Sequence, residues 1–261
     1  MRNALGLILL TLALSIGAVM WLHRDTRSAN NAATLTLFCA VSLKKPMEAA
    51  AAAYRAETGV ETLLQWGGSG TLLGQIQIAK RGDLLITADA GTLADARKLG
   101  LVRQSLPLVT QQPVFAVRTG NPKGIRALSD LLRTDVRLAL ANPEAASIGR
   151  STRASLGDDW PALARHATVM KPTVTEIAGD LSLGAVDVAV LWDSTVRQFK
   201  GIEAVTLPGV TLQPEHASLA VLAVSAQPEA ALRFGQFLRA PEGGSRVFKE
   251  HGFTLEPTTG P

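Results

Sequence analysis

From Thr34 onward, short apolar runs alternate with helix-compatible stretches, and most apolar runs stop at a small, hydroxyl or glycine residue. Leu35–Ala40 reads as a strand, and residues 46–57 read as an alanine-rich helix with Pro46 at its first turn and Gly59 closing it. Residues 60–66, 72–79, 83–88 and 93–99 repeat the strand and helix alternation. This alternation predicts an α/β protein with a mainly parallel sheet. A strand over Pro113–Arg118, ended by the turn 119–122, opens a second α/β series. It runs through 136–141, a helix from about Gly149, then 174–183, 186–192 and 204–207. A further strand over 219–224 leads to closing helices over 229–238 and 242–251. One open sheet holding all these strands would be unusually wide for the length, so two sheets are expected.

Of the 261 residues, 47% are hydrophobic and 18% charged, which fits a globular protein with a sizeable core. The net charge of +4 is spread without Lys/Arg blocks and aromatic content is 5%, so a nucleic-acid partner is not expected; mild basicity favours the approach of anions. The single cysteine, Cys39, excludes an intramolecular disulfide framework and a Cys-rich metal site, and its place in the first strand reads as a small buried apolar residue. Residues 5–22 form an apolar-to-small run behind Arg2. Its length suits a cleaved signal peptide or an uncleaved N-terminal anchor, with residues 24–33 as a polar tether, and both versions stand. Cys39 lies too far beyond that run for lipidation.

Two serines sit where an apolar strand gives way to a helix: Ser42 after Leu35-Thr-Leu-Phe-Cys-Ala-Val41, and Ser69 within Gly67-Gly-Ser-Gly70. There a hydroxyl lies beside backbone N–H groups with no intrahelical acceptor, which is the chemistry of an anion site. The competing reading is that both are helix N-caps. Neither serine has a base beside it in sequence. Gly67-Gly-Ser-Gly-Thr71 approaches a nucleophile elbow, but Thr71 stands where that motif needs glycine, and the histidines His23, His166, His216 and His251 form no triad pattern with it. Walker and dinucleotide fingerprints and metal-ligand spacings are absent from the sequence, so neither a cofactor nor a metal cation is expected. Further donors follow other strands: the amides near Ser147, Ile148 and Gly149, those near Val174, and the indole of Trp192, which can only donate. Capping by Ser147 and Thr173, and a core or rim place for Trp192, are the plainer readings of each alone. Together, donors at the carboxyl ends of strands in both halves fit the general position of ligands in α/β proteins.

In chain order, Phe38-Cys-Ala-Val-Ser-Leu43, Gly68-Ser-Gly-Thr-Leu72, Gly82-Asp-Leu-Leu-Ile-Thr-Ala-Asp89, Asn142-Pro-Glu144 with Gly149, Val186-Asp-Val-Ala-Val-Leu-Trp192 and Val247-Phe-Lys-Glu-His-Gly-Phe253 resemble the periplasmic molybdate-binding proteins of ABC importers. The resemblance covers residues 34–256. It implies a type II periplasmic binding protein fold: residues 34–112 and 218–261 as one α/β lobe, 113–217 as the other, and a ligand cleft between, with 1–33 as signal or anchor plus tether. It further implies a non-enzymatic, extracytoplasmic, monomeric solute-binding component that holds molybdate or tungstate and delivers it to an ABC permease in the membrane. Ser42 and Ser69 would each give hydroxyl and N–H, Ile148 and Val174 their N–H, and Trp192 stands where the family usually has a tyrosine. Lys44 and Lys45, and the glycines flanking Ser69, also depart from the family pattern; the lysines read as a solvated helix start or as charge beside the pocket. A pocket made only of donors selects against phosphate, whose proton needs an acceptor, and Asp193 is the residue placed to supply one. Two alternatives remain: the same fold holding another anion, an organic ligand or a metal complex with Trp192 as a stacking face, and a secreted serine hydrolase using Ser69.

Overall fold

The computed structural model describes residues 34–256; the segment read as a signal or anchor lies outside the described residues. The first stretch runs β1 (Leu35–Ala40), α1 (Lys44–Thr58), β2 (Thr62–Gly67), α2 (Ser69–Ala79), β3 (Leu84–Thr87), α3 (Ala90–Lys98) and β4 (Val102–Gln111). The second runs β5 (Pro113–Arg118), β6 (Leu138–Ala141), α4 (Ser147–Leu156), α5 (Trp160–His166), β7 (Val169–Lys171), α6 (Val174–Ser182), β8 (Val188–Trp192), α7 (Asp193–Gln198) and β9 (Ile202–Val205). The chain then returns through β10 (Glu215–Leu222), α8 (Pro228–Arg239), α9 (Gly244–Glu250) and β11 (Thr254–Leu255).

Two sheets form, as expected. The first has the order β11-β4-β10-β3-β1-β2 and the second β7-β6-β8-β5-β9. The expectation of mainly parallel pairing is corrected. β1 pairs parallel with β2 and β3, and β6 with β7 and β8, but β10 runs antiparallel to β3 and β4, β11 to β4, and β5 to β8 and β9. The cause is connectivity: β4 feeds straight into β5 through Gln112, and β10 comes back from the second sheet, so these strands have no helical crossover to bring them round parallel.

β1 has its apolar run because both of its faces are covered. Leu35, Leu37 and Cys39 pack with Met47, Ala50 and Tyr54 of α1 and Phe234 of α8 in one cluster. Phe38 points the other way, into a cluster with Leu72, Leu73 and Ile76 of α2 and Leu93 and Ala96 of α3. β3 repeats the arrangement, with Leu84 and Ile86 on the first side and Leu85 on the second. Cys39 is buried as read from the sequence, and burial pushes its thiol well above the usual range. Gly59 closes α1 at φ 72°, a conformation that favours glycine.

The chain passes between the sheets twice, at Gln112 and between Val205 and Glu215. The two passages are tied together: Gln112 Nε2 donates to Leu212 O at 2.7 Å. The Gln112 amide donates to Asp193 Oδ1 at 3.1 Å, and Asp193 N–H returns to Gln112 O at 2.8 Å.

Candidate functional site

A small cavity of about 210 Å³, its mouth included, lies between the two sheets. Its wall is drawn from the carboxyl ends of six strands: Ala40, Val41 and Ser42 after β1, Gly67, Gly68 and Ser69 after β2, Ala88 after β3, Ala146, Ser147 and Ile148 after β6, Val174 after β7, and Trp192 ending β8. None of these side chains is ionisable. Ser69, Ile148 and Val174 lie in the first turns of α2, α4 and α6, where an amide has no acceptor within its own helix. Three helix N-termini thus bring partial positive charge to one neutral cavity from both sheets. The structure brings together Ser42, Ser69, Ile148, Val174 and Trp192, all five residues singled out from the sequence.

The capping alternative fails for both serines. Ser42 lies in a short 3-10 turn, Val41–Leu43, and makes no cap bond; its Oγ is buried and has no protein partner. Ser69 is preceded by the N-cap Gly68, and its Oγ instead accepts the Ala88 amide at 3.1 Å. Thr173, by contrast, is a true cap, its Oγ1 accepting Glu176 N–H at 3.4 Å. Trp192 is 1% exposed and is the largest fully buried side chain, so the wall it forms is fixed by core packing.

No role for Asp89, or for the side chain of Ser147 beyond capping, is read from the sequence. Asp89 ends the β3 loop, is 0% exposed, and caps α3 by accepting Thr92 N–H on Oδ1 at 2.6 Å and the Thr92 hydroxyl on Oδ2 at 2.7 Å. Ser147, from the second sheet's side, places its Oγ 2.7 Å from Ser69 Oγ and hydrogen-bonds Asp89 Oδ2. Arg150 of α4 follows the same route, its Nε 3.9 Å from Asp89 Oδ1 and its guanidinium on Asp95 at 2.7 Å. Glu215 accepts the Ala90 amide at 3.3 Å; burial pushes its carboxyl up, the Asp89 charge adds to that, and the amide opposes it.

The sheets also meet backbone to backbone. Thr71 N–H donates to Ala145 O at 3.2 Å. A Cβ on Gly68 would lie 2.6 Å from Pro172 O and closer still to Ala145 O, and one on Gly70 would collide with Glu144 O. The glycines flanking Ser69 are thus explained by the close approach of the facing loop. Lys44 and Lys45 do not line the cavity. Lys44 pairs with Glu48 at 3.8 Å, and Lys45 reaches across to Gln198 O at 3.3 Å. The expectation that Asp193 supplies an acceptor is corrected, because its oxygens are taken by the Gln112 amide and by Arg197, and it is absent from the cavity wall.

The sequence model of one family, described as bacterial extracellular solute-binding protein, matches residues 35–254. The chain belongs to that family. Among relatives of this solute-binding protein, a putative binding protein of Haemophilus influenzae is 27% identical over 225 residues, covering 85% of this chain and 91% of the relative. The molybdate-binding protein ModA of Mycobacterium tuberculosis H37Rv is 24% identical over 225 residues, covering 85% of each. The solved periplasmic molybdate-binding protein of Azotobacter vinelandii superposes with a TM-score of 0.68 at 16% identity, over 85% of this chain and 100% of that one. The solute-binding protein accordingly has the type II periplasmic binding fold. Other solved proteins of similar fold are named for sulfate, iron or thiamin.

Proposed function

We propose that this solute-binding protein is the extracytoplasmic component of an ABC importer that takes up a small tetrahedral oxyanion, molybdate or tungstate, and passes it to a membrane permease. One observation carries the reading: the cavity is neutral, donor-rich and small. Its enclosed space, about 20 Å³, lies far below the roughly 300–1,000 Å³ of pockets that hold drug-sized organic ligands. Ser42 Oγ, buried without a partner, and the amides of Ser42, Ser69, Ile148 and Val174 would surround the anion, with the Trp192 indole on the remaining side. The names of the ModA relatives support the choice of anion. A hydrolase using Ser69 has less support, since no histidine or lysine lines the cavity to activate the hydroxyl. Residues 1–33 would export or anchor the chain, and the protein would act as a monomer.

Titration calorimetry of residues 34–261 with molybdate, tungstate, sulfate and phosphate tests the reading. Saturable heat with molybdate or tungstate at one site per chain is expected, lost when Ser42 and Ser69 are both changed to alanine. Absence of heat with all four anions sinks the oxyanion reading, and tight phosphate binding with no molybdate heat sinks the assignment to molybdate.

A further inference from the structure

The end of the first sheet remote from the ligand cavity gathers exposed apolar side chains. Of the seven large apolar side chains exposed among the described residues, four lie there: Leu63 at the start of β2, and Ile78, Leu99 and Val224 where α2, α3 and β10 finish. Leu63 and Val224 line one groove with Lys80 and Arg81, and Ile78 lines a second that shares Gln65 and Arg81 with the first. Leu99 belongs with them because Ala223 N–H donates to Leu101 O at 2.8 Å, which ties the end of α3 to the end of β10. The charge between these side chains is positive. Lys80 and Arg81 are exposed. The one carboxylate lining either groove, Asp83, is buried and already accepts the Thr36 amide at 2.8 Å, the Ser225 hydroxyl at 2.6 Å and the Gln227 side-chain amide at 3.3 Å. Lys80 ends α2 at φ 48°, where α1 ends on Gly59 at φ 72°; a lysine there accepts backbone strain that a glycine avoids.

Thr34, the first of the described residues, lines the same groove as Lys80 and Arg81. Only residues 23–33 separate it from the apolar run 5–22, and a stretch of that length spans at most about 40 Å. Arg24 and Arg27, against Asp25, make the stretch basic as well. Resting on the reading of this chain as extracytoplasmic and of residues 5–22 as a retained anchor, we propose that this face docks on an anionic phospholipid bilayer, with Lys80 and Arg81 at the lipid phosphates and the four apolar side chains against the interface. Charge complementarity selects an anionic surface, and the anchor keeps the face at high local concentration beside it. The ligand cavity lies at the carboxyl ends of the same strands, so a docked chain holds it clear of the lipid while it fills. A basic side chain near such a surface is worth about fivefold in binding, so a contact built on two of them is readily released for delivery to a permease.

The full chain in vesicles of phosphatidylcholine alone, or of equal parts phosphatidylcholine and phosphatidylglycerol, tests the proposal. A membrane-impermeant acylating reagent is added outside, and mass spectrometry reads the modification rates of Lys80 and of Lys200, an exposed lysine before β9 on the second sheet. In the anionic vesicles the Lys80 rate is expected to fall about fivefold or more while the Lys200 rate holds. The fall is expected to vanish in about 1 M salt, where the screening length is about 3 Å. It is also expected to vanish in the double variant Ile78→Asp, Arg81→Glu, whose two positions are exposed and do not line the ligand cavity. Equal Lys80 rates in the two kinds of vesicle overturn the proposal, as does a Lys200 rate that falls as far, or a fall that persists in high salt and in the double variant. A chain that stays off both kinds of vesicle overturns it together with the anchor reading. The oxyanion reading fails separately: calorimetry of the double variant with molybdate is expected to match wild type whichever way the vesicles decide.

Discussion

Ser42 combines two properties that rarely coexist without a ligand: its hydroxyl is buried, and no protein group bonds it. Leaving such a group unsatisfied costs about 1–3 kcal/mol in the empty protein. Ser42→Ala is therefore expected to leave the unliganded melting temperature unchanged or raised, while weakening oxyanion binding by roughly tenfold, as calorimetry and thermal melts on the same preparation would show. A simple packing role would lower stability and leave affinity alone. The strand-to-helix junction made Ser42 legible in the sequence, because an apolar run followed by a helix start exposes both hydroxyl and amide. Asp89 and Ser147 were not legible as a pair. They stand 58 residues apart, each reads locally as a cap or loop residue, and only the docking of the two sheets brings them into contact.

Among the elements, α2 shows most clearly how close packing decides what a sequence must contain. Gly68 has φ −72° and ψ 145°, which any residue can adopt, so its glycine is required by the facing Ala145 and Pro172 carbonyls and not by backbone conformation. Gly68→Ala is expected to weaken ligand affinity by roughly tenfold to a hundredfold, since overpacking costs about 1–3 kcal/mol and would push apart the two walls of the cavity where the sheets touch. Its check is ligand affinity beside the unliganded melt; a melt lowered as much as the affinity would show the strain present without ligand. The helices α1, α2 and α6 follow the sequence pattern closely because caps and apolar runs delimit them. β4 escaped it. Pro107 sits mid-strand and lacks an N–H, and a register shift between Ala217 and Ser218 of β10, opposite Val109 and Pro107, accommodates it, so the sequence shows a broken run where the fold has ten residues of strand. β7 and α5 escaped as well, with three and seven residues and weak periodicity.

At the scale of the molecule, Asp187 fastens two neighbouring strands of the second sheet at their amino ends, since it directly precedes β8 as Arg137 precedes β6. Arg137 grips this carboxylate with Nε at 3.0 Å and a terminal nitrogen at 2.8 Å, and the Arg137 amide adds a third bond at 3.0 Å. The Arg137 side-chain hydrogen bond is the main cause that holds the Asp187 carboxyl below the usual carboxylate range, against the opposing effect of burial. A carboxyl lowered by folding contributes stability that is present above its unfolded value and lost as pH falls through its folded one. Asp187→Asn is expected to lower the neutral-pH melting temperature and to flatten the acid limb of melting temperature against pH; an acid limb as steep as wild type would contradict this. Glu215 works in the opposite sense. Burial raises its carboxyl, so its contribution is fully present at low pH and is lost as pH rises from the usual carboxylate range through the raised value, and Glu215→Gln is expected to remove that loss.

Leu35 near one end of the described chain and Leu255 near the other are both strands of the first sheet, and the second sheet is spliced in through two short passages. In topology the chain is a frame with an insert: an attachment near either end of the described residues grips the frame and leaves the insert untouched. Ile78 on the frame and Leu183 on the insert are each 87% exposed, while the single native thiol, Cys39, is sealed in β1, so cysteines introduced at these two outer positions could be labelled without competition and would report the separation of frame and insert with and without ligand.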